Sequence, residues 1–352
     1  MKKLHIILAF LAVITLFSCE TDIEINAPYK DIAVVYGLID PAVDTQYVKI
    51  NKAFLGDNAY DLAQDASNFN YPDGELDVVV KEINSSGNVA NTYYLTRTVN
   101  EVPKDAGTFD NSQNVLFRFI EPNITPGGRY KLTIVNKVLN KEITSEMLIV
   151  KNSSLGIPGN MNAKFNFWGG VPANGNYLNK PFRLTTGGNI GRVEAVLVFN
   201  YKEFYTDGSF EYKTVKMTMG EAVGETPSEG KFLEWEMDGG VFFTNITNSV
   251  PVSVPLLDYR MLVNISLEFN VAGTELSTYM AASSPSTSVN QERPTYTNIN
   301  NGLGIFSSRT VLEMKSSFPE GGIQINIGVD TLKKLNSLGL GFCSDANGIP
   351  QC

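Results

Sequence analysis

Two carboxylates on one predicted strand could do chemistry together. Glu234 and Glu236 flank Trp235, and alternate residues of a strand lie about 6–7 Å apart on one face. Glycoside hydrolases use an acid and a base or nucleophile about 5–10 Å apart, so the spacing allows a carboxylate-dependent hydrolase acting on glycans. Alternating glutamates are also typical of a solvated strand face, and we keep the hydrolase as the alternative function.

The histidine content excludes most other catalytic sites. His5 is the only histidine, and it lies in an N-terminal segment that we expect to be removed. The remaining chain cannot form a Ser-His-Asp triad, a Cys-His pair or a histidine-ligated zinc site, and it lacks the Asp-x-Asp-x-Asp-Gly spacing of a calcium loop. We therefore predict no metal, no cofactor apart from a covalent lipid, and a non-catalytic binding or accessory function.

Aromatic residues supply the candidate binding groups. The loop Gly56–Gly74 is long for a sheet connection and rich in Asp and Asn, and loops of this length are commonly functional or mobile. Aromatic faces beside amide donors suit sugars or peptides, so a glycan or peptide ligand is expected, although core packing is the alternative for each ring. The candidate residues, in this loop and in later runs, are Tyr60, Phe69, Tyr71, Trp168, Tyr205 and Trp235.

The N-terminal segment predicts export and lipid attachment. Lys2 and Lys3 precede the apolar run Ile6–Phe17, which is shorter than the roughly 20 residues of a permanent membrane span and fits a secretory signal. Leu16-Phe17-Ser18-Cys19 resembles a bacterial lipobox, so we predict removal of residues 1–18 and acylation of Cys19. An ordinary signal peptide with an incidental cysteine is the alternative.

Residues 19–30 are then a lipidated tether. Glu20, Asp22 and Glu24 follow the cysteine and resemble the surface-export signal of Bacteroidota lipoproteins; an anchor that faces the periplasm is the alternative. Each buried methylene of an acyl chain contributes about 0.8 kcal/mol to membrane binding, so two or more chains anchor stably. We predict an outer-membrane, lipid-anchored protein, with the cell surface favoured.

The predicted mature chain is acidic. Loss of Lys2 and Lys3 takes the formal net charge from −9 to −11, which argues against a nucleic-acid partner because such binding depends on a basic face. Hydrophobic residues make up 43% and charged residues 18%, which is typical of an ordered protein. The length of 352 residues favours two domains.

The first domain is predicted as an immunoglobulin- or fibronectin-like β-sandwich over residues 31–151. Ile124–Leu132 resembles the approach to a late strand of fibronectin type III domains, in which the tyrosine, here Tyr130, packs inward and bonds its hydroxyl to nearby backbone. A Ser-, Gly- and Pro-containing stretch, Asn152–Gly159, ends the domain. The strand-like runs, whose number is typical of this fold, are Ile32–Ile39, Gln46–Phe54, Leu76–Asn84, Thr92–Val99, Val115–Ile120, Arg129–Val135 and Glu142–Val150.

The second domain, residues 160–352, is predicted as a larger, mostly antiparallel β domain with a short C-terminal helix, so the fold class is all-β. Asp330 is predicted to cap a helix over Thr331–Leu338, with Gly339 after its end. Short Gly-containing turns between apolar runs indicate hairpins. The predicted hairpins join Val193–Phe204 to Phe210–Met219, Lys231–Met237 to Val241–Ile246, and Arg260–Asn270 to Glu275–Ala282.

Two short segments carry a family resemblance. Val35-Tyr-Gly-Leu38, together with Tyr296-Thr-Asn-Ile and the following Asn301-Gly-Leu-Gly-Ile-Phe-Ser-Ser-Arg309, resembles the domain-of-unknown-function 4249 lipoproteins of Bacteroidota. Those proteins also begin with a lipobox cysteine and an acidic tether. The resemblance implies an outer-membrane lipoprotein of unknown activity, with a TonB-dependent transporter or its cargo as the expected partner. It supplies no catalytic residues.

The remaining cysteines lie close together at the C-terminus. Cys343 and Cys352 are separated by a segment that contains Asn347-Gly348 and can turn back. In an exported chain such a pair is expected to be oxidised, so we predict a disulfide that closes the C-terminal loop. Two free thiols are the alternative.

Overall fold

The structure is a computed structural model of the chain, and it describes most of the sequence. The predicted signal peptide 1–18, the tether 19–30 with Cys19, and Cys352 lie outside the described residues. Within the described part, no helix is both long enough and apolar enough to cross a bilayer. The described residues are 31–54, 58–110, 112–225, 228–284, 295–315, 326–346 and 349–351.

The predicted all-β fold is confirmed, since strands dominate the described residues. The N-terminal strands are β1 (Ala33–Ile39), β2 (Thr45–Lys52), β3 (Leu76–Ile83), β4 (Val89–Tyr94), β5 (Thr96–Val99), β6 (Val115–Ile120), β7 (Arg129–Asn136) and β8 (Lys141–Leu148). The later strands are β9 (Ser154–Ile157), β10 (Trp168–Val171), β11 (Asn174–Tyr177), β12 (Lys180–Thr185), β13 (Ile190–Tyr205), β14 (Phe210–Val223), β15 (Phe232–Met237), β16 (Leu257–Gly273), β17 (Gly302–Met314), β18 (Phe342–Ala346) and β19 (Ile349–Gln351). The described helices are α1 (Ala59–Ala63), α2 (Ala66–Phe69), α3 (Gly239–Ser249), α4 (Thr274–Ser283) and α5 (Val329–Asn336).

The predicted strand Val241–Ile246 is wrong, because these residues lie in α3. Asp238 Oδ1 accepts the Val241 N–H at 2.9 Å and so caps the helix. Phe242 and Ile246, one helical turn apart, are both buried. The Asp-Gly-Gly sequence that indicates a hairpin turn is here the start of a helix.

The predicted strand Glu275–Ala282 is also wrong, because it lies in α4, directly after β16. The helix packs on the large sheet through a small side chain: Ser277 Oγ donates to the Gly191 carbonyl oxygen at 3.0 Å. A Cβ on Gly191 would come within 2.5 Å of Ser277 Cβ. This close approach at Gly191 lets the helix lie against the sheet.

The predicted C-terminal helix is confirmed, with both ends two residues earlier than expected, at Val329 and Asn336. α5 begins after Gly328, which makes no side-chain capping bond. Asp330 is therefore not the cap; it lies in the first turn, and its Oδ2 accepts the Gly170 N–H at 3.3 Å. Gly339 has a φ of 70°, the left-handed conformation expected just beyond a helix end.

One sheet runs through both predicted domains. Its strand order is β14-β13-β16-β17-β1-β2-β6-β5, and β18 is attached beside β16. β1 pairs in parallel with β17, from Ala33↔Gly302 to Ile39↔Ser308, and pairs antiparallel with β2. A strand from the C-terminal region therefore completes the sheet of the first domain.

A second sheet, β4-β3-β7-β8, shares a hydrophobic core with β1, β2 and β6 and so forms the sandwich. Val35 and Val48 contribute from one sheet, and Val80 and Leu132 from the other. Tyr130 is fully buried in this core, and its hydroxyl accepts the Thr125 N–H at 3.2 Å. The expectation for Tyr130 is confirmed.

A second, larger core fills the C-terminal region. Ile149 belongs to the first core and Val150 to the second, and both lie just before the predicted boundary Asn152–Gly159. Ile299 and Phe306, however, contribute to the first core. The division into 31–151 and 160–352 stays a prediction, since β17 serves both regions.

The two segments that carry the family resemblance contact each other. Val35–Leu38 pairs with Gly304–Ser307 in register. The Asn298 side chain bonds both backbone polar groups of Phe306. Its Oδ1 accepts the Phe306 N–H at 2.9 Å, and its Nδ2 donates to the Phe306 carbonyl oxygen at 2.6 Å. Ser308 Oγ accepts the Val150 N–H at 3.0 Å. These contacts join the two cores.

Candidate binding site

Three of the predicted binding residues are packed into the structure. Tyr71, Trp168 and Trp235 are buried. The Tyr71 hydroxyl donates to Asp31 Oδ1 at 3.0 Å, and each indole N–H donates to a backbone carbonyl, at 3.2 Å for Trp168 and 3.1 Å for Trp235. Buried aromatic residues with satisfied polar atoms stabilise a fold, so these three act in packing.

The two glutamates of the alternative enzyme hypothesis lie on an exposed strand face. Glu234 Oε1 accepts a hydrogen bond from Arg183 Nε at 2.6 Å, and Glu236 Oε1 accepts one from Asn179 Nδ2 at 2.8 Å. The Glu234 side chain is 59% exposed. Both side chains are exposed and hydrogen-bonded to their neighbours, as expected for glutamates on a solvated strand face.

Tyr60 and Tyr205 lie at the surface. Tyr60 is 62% exposed on α1. Tyr205 lines a cavity of about 470 Å³, and its hydroxyl lies 3.2 Å from Glu203 Oε2. The other oxygen of Glu203 pairs with the fully buried Arg260, at 2.8 Å from its Nε. The buried charges beside this cavity are therefore already paired.

The long loop of the first domain is folded into two short helices. Asn58 Oδ1 accepts the Tyr60 N–H at 3.1 Å at the start of α1, and Asp65 Oδ1 accepts the Ser67 N–H at 2.9 Å at the start of α2. Asn58 and Asp65 are thus helix caps. They place Phe69, at the end of α2, against the sheet.

Phe69 lines a cleft that has both charged and aromatic walls. The cleft has a volume of about 450 Å³ and lies on the outer face of β1 and β2, between Phe69 and the loop that carries Lys104 and Phe109. We call it the lysine cleft. Its principal side chains are Tyr36, Lys49, Lys52, Phe54, Phe69, Lys104 and Phe109.

The aromatic wall of the lysine cleft is a small cluster of rings. The Phe69 and Phe109 centroids lie 5.4 Å apart in an edge-to-face arrangement, and those of Phe54 and Phe109 lie 6.2 Å apart. Lys104 Nζ lies 5.5 Å from the Phe69 centroid and 5.7 Å from that of Phe109. The ammonium group therefore lies beside the same rings that supply the apolar surface.

The lysine cleft holds three ammonium groups, and one of them also acts on a nearby carboxylate: hydrogen bonds from Ser112 and, after them, the Lys104 ammonium lower the pKa of Asp110. Lys104 Nζ donates to the Asp110 carbonyl oxygen at 2.7 Å and Lys49 Nζ to Asn114 Oδ1 at 2.9 Å, and both acceptors are uncharged. Among the described residues, no carboxylate lies within 4.0 Å of Lys49, Lys52 or Lys104. Burial lowers the pKa of Lys49, and the neighbouring Lys104 ammonium lowers that pKa further. This is a local excess of positive charge in a chain of net charge −9.

Sequence reasoning found Phe69 but missed the lysines. In β2 the side chains of Val48 and Ile50 are buried while Lys49 is half-buried, and this alternation could have placed Lys49 on the outer face. Nothing in the sequence around Lys104 and Phe109 indicates that their loop lies beside β2. The cleft depends on that tertiary contact.

The described residues contain no group of three or more His, Cys, Asp or Glu side chains that could hold a metal ion. Cys343 is disulfide-bonded. Its predicted partner Cys352 lies outside the described residues, so that pairing stays a prediction.

Comparison with known proteins gives no family. No protein-family model and no curated protein matches the sequence. A crystal structure of the C-terminal globular domain of oligosaccharyltransferase from Pyrococcus abyssi is similar with 11% identity and a TM-score of 0.28, over 68% of this chain and 46% of that one. The BSP domain of a biofilm-associated protein is similar with 9% identity and a TM-score of 0.18, over 82% and 30%. This chain spans less than half of either protein, and we base no argument on likenesses this distant.

Proposed function

We propose that this chain is a lipid-anchored, non-catalytic binding protein that holds an anionic ligand with an apolar body in the lysine cleft. The observation that carries the proposal is the combination of lysines that have no described carboxylate within 4.0 Å with the rings of Phe54, Phe69 and Phe109.

A partly buried ammonium group without a counter-ion destabilises the folded chain, and Lys49 and Lys104 are close enough to affect each other. An acidic ligand group removes this repulsion and forms charge-assisted hydrogen bonds. The phenylalanine rings then cover the apolar part, at about 25 cal/mol per Å² of buried surface.

The size of the lysine cleft favours a small molecule or a single side group of a larger partner. Sites for small ligands are typically concave, mostly apolar and about 300–1,000 Å³ in volume, with a few polar groups that fix orientation. The cleft, at about 450 Å³, lies within this range. The lysine charges disfavour a cationic ligand.

The predicted anchor places the lysine cleft near the membrane. Residues 19–30 separate the lipidation site from β1, which supplies Val34 and Tyr36 to the cleft. An extended segment of that length reaches roughly 40 Å at about 3.3–3.6 Å per residue. An outer-membrane transporter of the TonB-dependent type, or its cargo, is the partner we propose at this distance.

The test is the binding of two matched aromatic probes. We expect titration calorimetry to detect 1-naphthoate but not the neutral, equally sized 1-naphthamide. Lys49→Gln and Lys104→Gln each replace an ammonium group with a neutral amide that can still donate a hydrogen bond. Each variant should bind naphthoate about tenfold or more weakly, because hydrogen bonds to charged groups contribute about 1.5–3 kcal/mol. The control is Lys137→Gln, which removes an exposed lysine that pairs with Asp77 at 2.9 Å.

Equal binding of the two naphthalene probes would show that the lysine cleft does not recognise the acid. If Lys137→Gln and Lys104→Gln lose the same amount of naphthoate affinity, the loss comes from the overall charge of the protein and not from the lysine cleft. Phe109→Ala is a further arm: its side chain is exposed, so the fold should remain while the apolar contact is lost.

A further inference from the structure

A groove runs along the free edge of β14, near the tip of the β13–β14 hairpin. It is the cavity of about 470 Å³ that Tyr205 lines. β14 is the last strand of its sheet, so no described strand pairs with it on that side. We call this cavity the β14 groove. On the β14 side it is lined by the consecutive residues Lys213, Thr214, Val215 and Lys216.

The β14 groove lies along the edge of the strand and not over one of its faces. Successive side chains of a strand point to opposite faces. Thr214 Oγ1 donates to Asn200 Oδ1 at 2.9 Å, and Lys216 Nζ donates to Glu268 Oε2 at 2.7 Å, so both side chains lie on the outer face. Val215 points the other way, into the larger core. Thr214 and Lys216 therefore line the groove with their backbone.

The hydrogen-bond pattern of the hairpin shows which backbone groups face the β14 groove. In an antiparallel pair, residues that bond to the partner strand alternate with residues whose N–H and C=O groups point away from it. Tyr205 N–H donates to the Ser209 carbonyl oxygen at 2.9 Å, and the register has no shift from there to Val198↔Lys216. Ser209 and every second residue after it thus bond to β13. Thr214 and Lys216 direct their N–H and C=O groups to the free edge, where no described residue bonds them.

The opposite wall of the β14 groove is the segment that follows α3. Ser249, Pro251 and Val254 lie there. The buried Arg260 holds this wall in place, since its Nη2 donates to the Pro251 carbonyl oxygen at 2.9 Å and its Nε donates to Glu203 Oε1 at 2.8 Å. The wall obstructs the edge-to-edge approach of a second folded sheet, and it leaves space for a single extended chain.

The charged side chains that line the β14 groove each have a partner of opposite sign. The groove therefore offers no unpaired charge to an ionic ligand. It offers a backbone edge beside an apolar floor, to which Tyr201 and Val215 contribute. The ion pairs are Glu203–Arg260, Lys213–Glu211 and Lys216–Glu268.

We propose that the β14 groove binds an extended, uncharged peptide segment of a partner protein, which joins the sheet as a further strand. In such pairing, backbone hydrogen bonds supply affinity and pockets for alternate side chains supply specificity. Every second side chain of the added strand points to the face of Tyr201 and Val215, so apolar residues are expected at those positions. The proposal rests on the free edge of β14 and is independent of the lysine cleft.

Amide hydrogen exchange, measured by NMR on the full mature chain, tests the proposal with the neutral probe acetyl-Ser-Val-Ser-Val-Ser-amide. Without peptide, the amide protons of Thr214 and Lys216 should exchange much faster than those of Lys213 and Val215, which bond to β13. We expect a dissociation constant of about 1 mM. At about ten times that concentration, the peptide should slow exchange at Thr214 and Lys216 about tenfold and leave Lys213 and Val215 unchanged.

Three variants separate the backbone edge from the side chains. Thr214→Pro removes one outward N–H, which an edge strand tolerates, so the peptide should bind about tenfold more weakly. Thr218→Pro removes the equivalent outward N–H of the same strand outside the groove. Thr214→Val keeps the N–H and removes the hydroxyl. The last two variants should bind the peptide as the wild type does.

Three results would overturn the proposal: no slowing of exchange at Thr214 and Lys216 by the peptide, unchanged binding in Thr214→Pro, or equal losses in Thr214→Pro and Thr218→Pro. A fourth result would assign the edge to a second copy of this chain instead. In that case the two amides would be protected without peptide, and the protection would increase with protein concentration.

Discussion

The ring of Phe306 lies against Gly37, its partner in the register of β1 and β17. A Cβ at position 37 would come within 2.8 Å of Phe306 Cδ2 and within 3.3 Å of Val48 Cγ2. Phe306 and Val48 both belong to the first core, so neither side chain can move into solvent. The glycine in Val35-Tyr-Gly-Leu38 is thus explained by a ring from the far end of the chain.

Gly37→Ala should therefore destabilise the fold. Overpacking of a close-packed core costs about 1–3 kcal/mol, and denaturant unfolding would measure it. Gly107→Ala is the matched control, since a Cβ at that position meets nothing within 4 Å. A neutral Gly37→Ala would show that the ring can shift; Gly37→Ala combined with Phe306→Leu should recover part of the loss.

Glu203→Gln should be more damaging than an exposed charge change. The Arg260 side chain is fully buried, and the side chain of its ion-pair partner Glu203 is only 3% exposed. Breaking one partner of a buried pair costs about 3–5 kcal/mol, because the other charge is left uncompensated. Thermal and denaturant unfolding would measure this. Glu146→Gln, at an exposed pair with Arg129, should change stability by less than about 1 kcal/mol.

Binding of 1-naphthoate should depend on pH through Lys49. The pKa of Lys49 is lower than the usual 10.5, first through burial and then through Lys104. The folded chain therefore holds this proton less tightly than the unfolded chain. The protonated lysine destabilises the fold fully at pH values below its folded pKa, and this destabilisation disappears as the pH rises towards 10.5. An acidic ligand favours the protonated form, so affinity should decline across the same interval.

Calorimetry from neutral pH upwards would follow that decline. In Lys49→Gln the first part of the decline should be absent, although overall affinity is lower. An identical profile in Lys49→Gln and in the wild type would assign the titration to another group.

Cys19→Ala tests the anchor. The variant should incorporate no labelled fatty acid and accumulate as unprocessed precursor, because the lipobox resemblance places both events at that cysteine. Metabolic labelling and membrane fractionation would measure the two outcomes. Normal processing and membrane retention of Cys19→Ala would rule out lipid attachment at this site.

The pairing of Cys343 with Cys352 has a direct chemical test. Alkylation of unreduced protein, followed by mass spectrometry, should leave both cysteines unmodified, and prior reduction should expose both. A closed loop of about ten residues should contribute roughly 2–3 kcal/mol in the chain-entropy view, so reduction should also lower the melting temperature. Two thiols that react without reduction would exclude the bond.

The sequence predicted what depends on local pattern and missed what depends on distant contacts. Tyr130 was predictable because the alternation around it and the preceding turn specify one strand face. Val241 was not, because Asp238-Gly239-Gly240 serves equally well as a turn and as a helix start, and the outcome depends on where Phe242 and Ile246 are buried. Lys49 and Lys104 lie on separate elements, and the sequence does not indicate that they share a cleft.

The position of β1 has a mechanical consequence. β1 lies inside the sheet, paired along seven positions with β17 and along five with β2, and the predicted tether enters directly before it. If the chain is held at Cys19, a force on a bound partner reaches the membrane through β1 and acts along the strand axis. Such a force loads the hydrogen bonds on both sides in shear, so many must break together before the strand can leave the sheet.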